Sequence, residues 1–354
     1  MGGVLIGDGV PKIQNMCKVP ITNPEFEKRL EKFAENGVDI TREAVETEDD
    51  VDKLKKLRAK WKGKFPVPFV ADIQANEKIA MMSLEVADKV RINPGNFSRR
   101  FLAEFAKEAA RLGKPIRVGV NTGSLPAKYR GMPPELAMVK AAGEYWERIK
   151  DCADVSVVVS LKSSNLRVTV EANRIFRVNF PEIPLHVGVT EAGTVRQSLV
   201  NSSLGIGSLL AQGIGETIRV SIATADPLEE IVAGRYIVNA AYELSGKRVV
   251  FPKVIACPAC SRANYNVERV AIAVEKMLLK YNQPVEVAVM GCFVNGLLEA
   301  KDADFGFSGG RGEIIVFQKG EVVERFPVAD EIEEKVVEIA KEFITSYFSK
   351  NNVS

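Results

Sequence analysis

Two cysteines stand in VIACPACSRANY (254–265), at Cys257 and Cys260, and a third, Cys292, follows in VMGCFVNGLLEA. Three thiolates of this spacing suit a soft metal, zinc or the iron of an iron–sulfur cluster. Zinc favours a closed tetrahedral shell of four Cys or His ligands. The chain's one histidine, His186, and its other two cysteines, Cys17 and Cys152, lie far upstream. Glu299, seven residues after Cys292 and past the Asn295-Gly296 of a turn, can supply a carboxylate oxygen. A hard oxygen is a poor match to soft iron and is easily displaced. Three thiolates with such a fourth ligand leave one metal position exchangeable, which a catalytic cluster uses and a structural site does not. A redox dithiol and a structural zinc remain the alternatives.

A second set of chemistry-bearing residues is spread over the first two-thirds of the chain. Arg42, Asp72, Arg91, Asn93, Arg117, Asn121, Lys162, His186, Glu191 and Arg219 each interrupt apolar surroundings on a short β-rich segment or just after one. In PIRVGVN, Arg117, Gly119 and Asn121 share one parity, which places them on one face of a strand. Four arginines and a lysine converging on one spot repel one another unless a ligand neutralises them. An anion with several phosphate oxygens does so through charge-assisted, partly bidentate contacts. Asp72 and Glu191 then orient the arginines or hold substrate hydroxyls. His186 and Glu191 are the candidate proton-handling groups. The glycines of NSSLGIGSLLAQGIG (201–215) offer a weaker candidate seat for a phosphate on backbone N–H groups.

The elements that must carry these residues repeat one pattern. KIQNM (12–16), VDITREAV (38–45), PFVADI (68–73), KVRINP (89–94), PIRVGV (115–120), DVSVVVSLK (154–162), PLHVGV (184–189) and TIRVSI (217–222) read as strands. Amphipathic stretches such as EFEKRLEKFAENG and SRRFLAEFAKEAARLGK lie between them and end on glycine. Eight βα units in about 245 residues predict a TIM (β/α)8 barrel, whose layered apolar interior confines charge to the C-terminal mouth. After residue 246 the rhythm changes. A strand leads into the Cys-x-x-Cys loop, a helix (NVERVAIAVEKMLLKY) and a strand (VEVAVMGC) follow, and EIIVFQKGEVVERF forms a hairpin turning at Lys319-Gly320. ADEIEEKVVEIAKEFITSYF closes as a helix. The organisation expected is a barrel domain over 1–246 and a small α+β iron–sulfur domain over 247–354.

The 354 residues are 46% hydrophobic and 27% charged, enough for packed cores, and the formal net charge is +2. Near-neutrality argues against nucleic acid or a membrane surface as partner. No run of about 18 apolar residues predicts a membrane span. The start, MGGVLIGDGVPKIQ, has no basic region followed by an apolar run, so no signal peptide is expected. Five cysteines, an odd and low number, point to a reducing cytoplasm.

CPAC followed by GCFVNG and a glutamate resembles the 4-hydroxy-3-methylbut-2-enyl diphosphate synthase family of the non-mevalonate isoprenoid pathway. So do VADI, RINPGN, RVGVNTGSL, VSLKSSN, PLHVGVTEAG and RVSIATADP, in that order. The similarity runs from about residue 4 to the end of the hairpin and is to the two-domain bacterial type. The resemblance implies a 4Fe–4S cluster on Cys257, Cys260, Cys292 and Glu299. It implies a cyclic diphosphate held by Arg42, Asp72, Arg91, Arg117, Asn121, Lys162, His186, Glu191 and Arg219. The implied reaction is reductive ring opening of 2-C-methyl-D-erythritol 2,4-cyclodiphosphate with two electrons from ferredoxin or flavodoxin. The sequence departs from the family at Gln14-Asn15-Met16-Cys17, at Arg42-Glu43-Ala44-Val45-Glu46 and at Asp72-Ile73-Gln74. A divergent relative with a changed phosphorylated substrate and a zinc-bearing, non-redox barrel enzyme are the other readings. Chain geometry adds one expectation. Helix 8, roughly 227–245, spans about 27 Å and returns the chain to the barrel base. The short linker SGKRVVFP then predicts a head-to-tail homodimer, the cluster of one subunit capping the barrel of the other.

Overall fold

The computed structural model describes residues 1–293, 298–327 and 332–351, and the chain divides into two compact units after Lys247. In the first unit eight parallel strands follow one another around a barrel. They are β1 (Lys12–Met16), β2 (Ile40–Ala44), β3 (Phe69–Ile73), β4 (Lys89–Ile92), β5 (Ile116–Asn121), β6 (Val157–Lys162), β7 (His186–Val187) and β8 (Thr217–Ile218). The sheet order is β6-β5-β4-β3-β2-β1-β8-β7, and a bridge between Val159 and Leu185 joins its two ends. β7 and β8 are shorter than the six-residue strands expected. Past Val187 the backbone of Gly188 lies so close to Arg219 that an added Cβ would stand 2.7 Å from the Arg219 carbonyl oxygen.

The helices form because their apolar residues recur at helical spacing and their ends are capped. α1 (Glu25–Glu35) buries Phe26, Leu30 and Phe33. α2 (Glu48–Lys60) starts on a capping box in which Thr47 and Asp50 exchange hydrogen bonds. α3 spans Glu77–Val86. α4 (Arg99–Arg111) buries Phe101, Leu102, Phe105, Ala106 and Ala109, and the Ser98 hydroxyl accepts from Phe101 N–H. Each such Phe or Leu contributes roughly 1.5–3 kcal/mol on burial. α5 (Pro134–Cys152) and α6 (Leu166–Asn179) follow. α7 (Val195–Ser202) runs on through a π turn (Ser203–Gly207), and α8 (Leu228–Leu244) ends the unit. The glycines of 201–215 do not open a helix towards a ligand. Gly205 sits inside the π turn, where an added Cβ would meet Val189 at 2.6 Å, so it serves close packing.

The second unit is a five-stranded mixed sheet of order β13-β12-β11-β10-β9. It comprises β9 (Lys253–Ala256), β10 (Glu286–Met290), β11 (Phe305–Gly309), β12 (Glu313–Gln318) and β13 (Glu321–Pro327). β9, β10 and β11 are parallel, and β12 and β13 form the expected hairpin. Lys319 (φ 48°) and Gly320 (φ 79°) both adopt the left-handed region that a two-residue type I′ turn demands. α9 (Val267–Leu278) and α10 (Ile332–Asn351) bury Val270, Val274, Val336, Ile339 and Ile344 against Val287, Val289, Phe307 and Val316. β11 was not expected, because FGFSG carries weak strand signals. Its Gly306 is required: a Cβ there would stand 2.4 Å from the Phe317 ring. The Asn295-Gly296 turn and residues 329–331 of the expected closing helix lie outside the described residues.

Candidate active site

Alternation along the barrel strands turns a set of polar side chains inward. Asp72 accepts a hydrogen bond from Arg91 Nη1 at 2.9 Å and stands 3.4 Å from Arg42 Nε. Burial alone would raise its carboxyl, but Arg42, Arg91 and Arg117 together hold it down at about 2. Arg42 Nε also lies 2.9 Å from Met16 Sδ, and burial brings the Arg42 guanidinium down to about 10. Arg91 has room because β5 presents Gly119 beneath it, where an added Cβ would be 2.5 Å from Arg91 Nε. Lys162 ends β6 beside Asn121, its register partner on β5, and reaches over Gly188, where a Cβ would lie 2.9 Å from Nζ. Burial and the neighbouring cations push Lys162 well below its ordinary value.

The interior departs from the layered apolar packing expected of such a barrel. Arg117 and His186 do not stand at the mouth; each is 1% exposed, within the barrel. Arg117 Nη1 donates to Gln14 Oε1 at 2.9 Å, and its Nε has no partner. His186 Nδ1 lies 2.8 Å from Thr217 Oγ1, and its Nε2 is buried without a partner. Burial, then Lys162, Arg117 and Lys89, push His186 well below 6.5, so the ring is neutral. Glu191 is exposed on the loop after β7 with φ 53°, a left-handed backbone uncommon for a residue with a Cβ. No hydrogen bond or ion pair joins it to His186 among the described residues. Asn93 is structural: its side chain accepts from Gly95 N–H and donates to Ser124 Oγ.

One residue central to the ring was not anticipated. Glu230, in the first turn of α8, has no solvent exposure. Its two carboxylate oxygens take Arg219 Nη2 and Nε at 3.1 and 3.2 Å, and Lys18 Nζ at 2.9 Å. It also accepts from Met16 N–H at 3.2 Å. Glu230 thereby fixes Arg219 and ties the loop after β1 to that after β8. In the sequence it reads as an ordinary acidic residue near a helix start.

In the second unit, Cys257, Cys260, Cys292 and Glu299 line a single cavity of about 310 Å³ with Arg262 and Gly291. Ala259, between Cys257 and Cys260, takes φ 56°, a left-handed backbone uncommon for a residue with a Cβ. Gly291 N–H donates to Cys257 Sγ at 3.2 Å, and an added Cβ at Gly291 would stand 2.7 Å from Ala263 Cβ. Cys260 is exposed, and hydrogen bonds from the Arg262 backbone and side chain lower its thiol. All five cysteines are free of disulfides. A concave set of three thiols and a carboxylate fits a soft metal cluster better than zinc, which favours a full shell of thiolate and imidazole.

Family comparison bears on both units. The GcpE TIM-barrel domain matches residues 1–235, and the GcpE protein C-terminal domain matches residues 253–342. The chain belongs to the GcpE family. A 4-hydroxy-3-methylbut-2-en-1-yl diphosphate synthase (flavodoxin) of Thermodesulfovibrio yellowstonii is 40% identical over 352 residues, 96% of this chain and 97% of the relative. The proteins of that name from Natranaerobius thermophilus and Thermotoga petrophila are 38% and 39% identical, covering 99% and 92% of this chain and 97% and 92% of their own. As a GcpE member the chain is an enzyme, and its activity is the synthesis of 4-hydroxy-3-methylbut-2-en-1-yl diphosphate in the non-mevalonate pathway.

Cys17, Glu43 and Gln74, from the three stretches read above as departures from the family, each have a definite structural setting. Cys17 is fully buried, and burial, then the Glu43 carboxylate, push its thiol up to about 12. It is an inert packing residue. Glu43 accepts from Lys18 N–H at 2.6 Å and Ala44 N–H at 2.9 Å, pinning the loop after β1, where Lys18 itself has φ 59°. Gln74 is exposed, and its carbonyl accepts from Asn96 Nδ2. No helix among the described residues is long and apolar enough to cross a membrane.

Proposed function

We propose that the enzyme makes its product by reductive ring opening of 2-C-methyl-D-erythritol 2,4-cyclodiphosphate, using a 4Fe–4S cluster held by Cys257, Cys260, Cys292 and Glu299. The observation that carries this reading is the convergence of those four side chains on one cavity. When bound, the cluster supplies the two electrons and, where Glu299 gives way, one iron open to substrate.

The barrel residues do the rest. Arg42, Arg91, Lys162 and Arg219 clamp the diphosphate, Arg117 adds positive potential from beneath them, and together they stabilise the negative charge that grows on it as the bridging C–O bond breaks. Asp72 and Glu230 keep three of these guanidiniums aimed before substrate arrives. Asn121 holds a substrate oxygen beside Lys162. The neutral His186 offers Nε2 to the ligand rather than a charge. Glu191 reaches the substrate hydroxyls or supplies a proton to the departing oxygen from its exposed loop.

The relatives are named for flavodoxin, so flavodoxin is the proposed electron donor, with ferredoxin as substitute. The proposed setting is the cytoplasm. α8 carries the chain back towards the base of its own barrel over 17 residues, about 25 Å. This supports a head-to-tail homodimer in which each cluster domain, 247–354, serves the partner's barrel domain, 1–246. The test is anaerobic turnover of the cyclodiphosphate by the chain with reconstituted cluster and a strong one-electron reductant. Product formation is expected from the full chain and not after Cys292→Ser. An intact cluster with no consumption of this substrate would overturn the reading.

A further inference from the structure

Beneath the ring, the barrel interior holds donors that no acceptor satisfies. Lys89 opens β4 with the parity of Arg91, is 1% exposed, and forms no hydrogen bond or ion pair among the described residues. Arg117 Nε and Gln14 Nε2 are buried and unpartnered atoms of the same interior. The carboxylates of the ring are already committed, Asp72 to Arg42 and Arg91 and Glu230 to Arg219 and Lys18. The charged group facing Lys89 is therefore Arg117, a cation, and Lys89 in turn acts on His186. A buried ammonium without a counter-charge sheds its proton rather than stay charged. Burial, then Arg117, bring Lys89 down to about 7.

We propose that Lys89 couples anion binding to proton uptake: its amine gains a proton from solvent when a diphosphate seats on the ring above it. This rests on the reading of the mouth as a diphosphate site. In the empty barrel a neutral Lys89 relieves repulsion among the cations. The arriving anion brings negative potential into a poorly screened space, and the ammonium becomes the favoured form. The ligand prefers the protonated protein, so affinity is full below about pH 7 and weakens as pH climbs past it. Lys162 is also pushed down by burial and the neighbouring cations, but its proton uptake is common to wild type and Lys89 variants and cancels in their comparison; His186 is held neutral.

The test uses the full chain with its cluster reconstituted anaerobically and no reductant. Binding of inorganic pyrophosphate and of the cyclodiphosphate is measured calorimetrically at pH 7.5 in buffers of low and high ionisation enthalpy. The wild-type chain is expected to take up more protons than Lys89→Met, by about half a proton per site, and to show the steeper fall of affinity with pH. Lys89→Met replaces a buried amine that has no counter-charge by an apolar side chain of similar length, so it should melt no lower than wild type. Should it fail to fold, Lys89→Gln takes its place in the same comparison. Equal uptake in wild type and variant would overturn this inference alone. Wild-type binding of neither anion would bring down the diphosphate reading and this inference with it.

Discussion

Asp72→Asn tests the electrostatics of the ring most directly. The substitution keeps the shape of the side chain and leaves an oxygen to accept from Arg91, but removes the charge that faces Arg42, Arg91 and Arg117. A carboxyl held at about 2 in the fold and at its ordinary 3.8 when unfolded stabilises the folded state by roughly 2–3 kcal/mol at neutral pH. The sign follows from the depressed value. The stabilisation is complete above pH 4 to 5 and disappears as pH falls towards 2, where Asp72 is protonated and equivalent to Asn. For a unit the size of the barrel, that energy corresponds to roughly 5–10 °C in melting temperature. Melting of wild type and Asp72→Asn should be compared by calorimetry from pH 7 to pH 3. The wild type should lead by that margin at pH 7, and by roughly half of it at pH 3. A gap of the same size at every pH, or no gap at all, would refute the account of Asp72 as the ionised partner of the arginines.

Three further outcomes follow from close contacts and thiol environments. Gly119→Ala would drive a Cβ into the Arg91 guanidinium, so pyrophosphate affinity should fall at least tenfold, with about 1–3 kcal/mol of stability lost; calorimetric titration and melting check both. Gly291→Ala collides with Ala263 and Val267 at the cluster cavity, so iron bound after reconstitution should drop well below the wild-type content, with the barrel's pyrophosphate binding unchanged. After chelation of the cluster, iodoacetamide at pH 8 should label Cys260 first and leave Cys17 unlabelled in the folded chain, an order that peptide mass spectrometry reads directly.

The strand rhythm of the barrel is legible because its helices announce themselves by period and cap and its strands by β-branched runs. Arg117, Gly119 and Asn121 share a face as parity requires, and the Lys319-Gly320 turn follows from its residues alone. What could not be read is how far down the barrel the charge extends. Parity says that Arg117 and Lys89 point inward, but not that Gln14 and Thr217 replace the apolar layer there. Glu230 was missed because a buried carboxylate and a solvated one near a helix start look alike in sequence. β11 was missed because Gly306 is chosen by the Phe317 ring lying across it, a contact between residues on neighbouring strands. Cys257, Cys260, Cys292 and Glu299 could be singled out from residue chemistry, and in the structure they line one cavity; their service as a ligand set is the proposal made above.

Gly119 and Gly188, over which the heads of Arg91 and Lys162 lie, set where hardening this enzyme against heat has to be sought. Filling those two spaces is the obvious move for anyone who wants a tighter centre, and it is the one that evicts the groups meant to grip the ligand. Gains must come instead from the outer shell, at helix ends and at surface loops away from the ring. Engineering for durability and engineering for turnover therefore address different radii of the same cylinder.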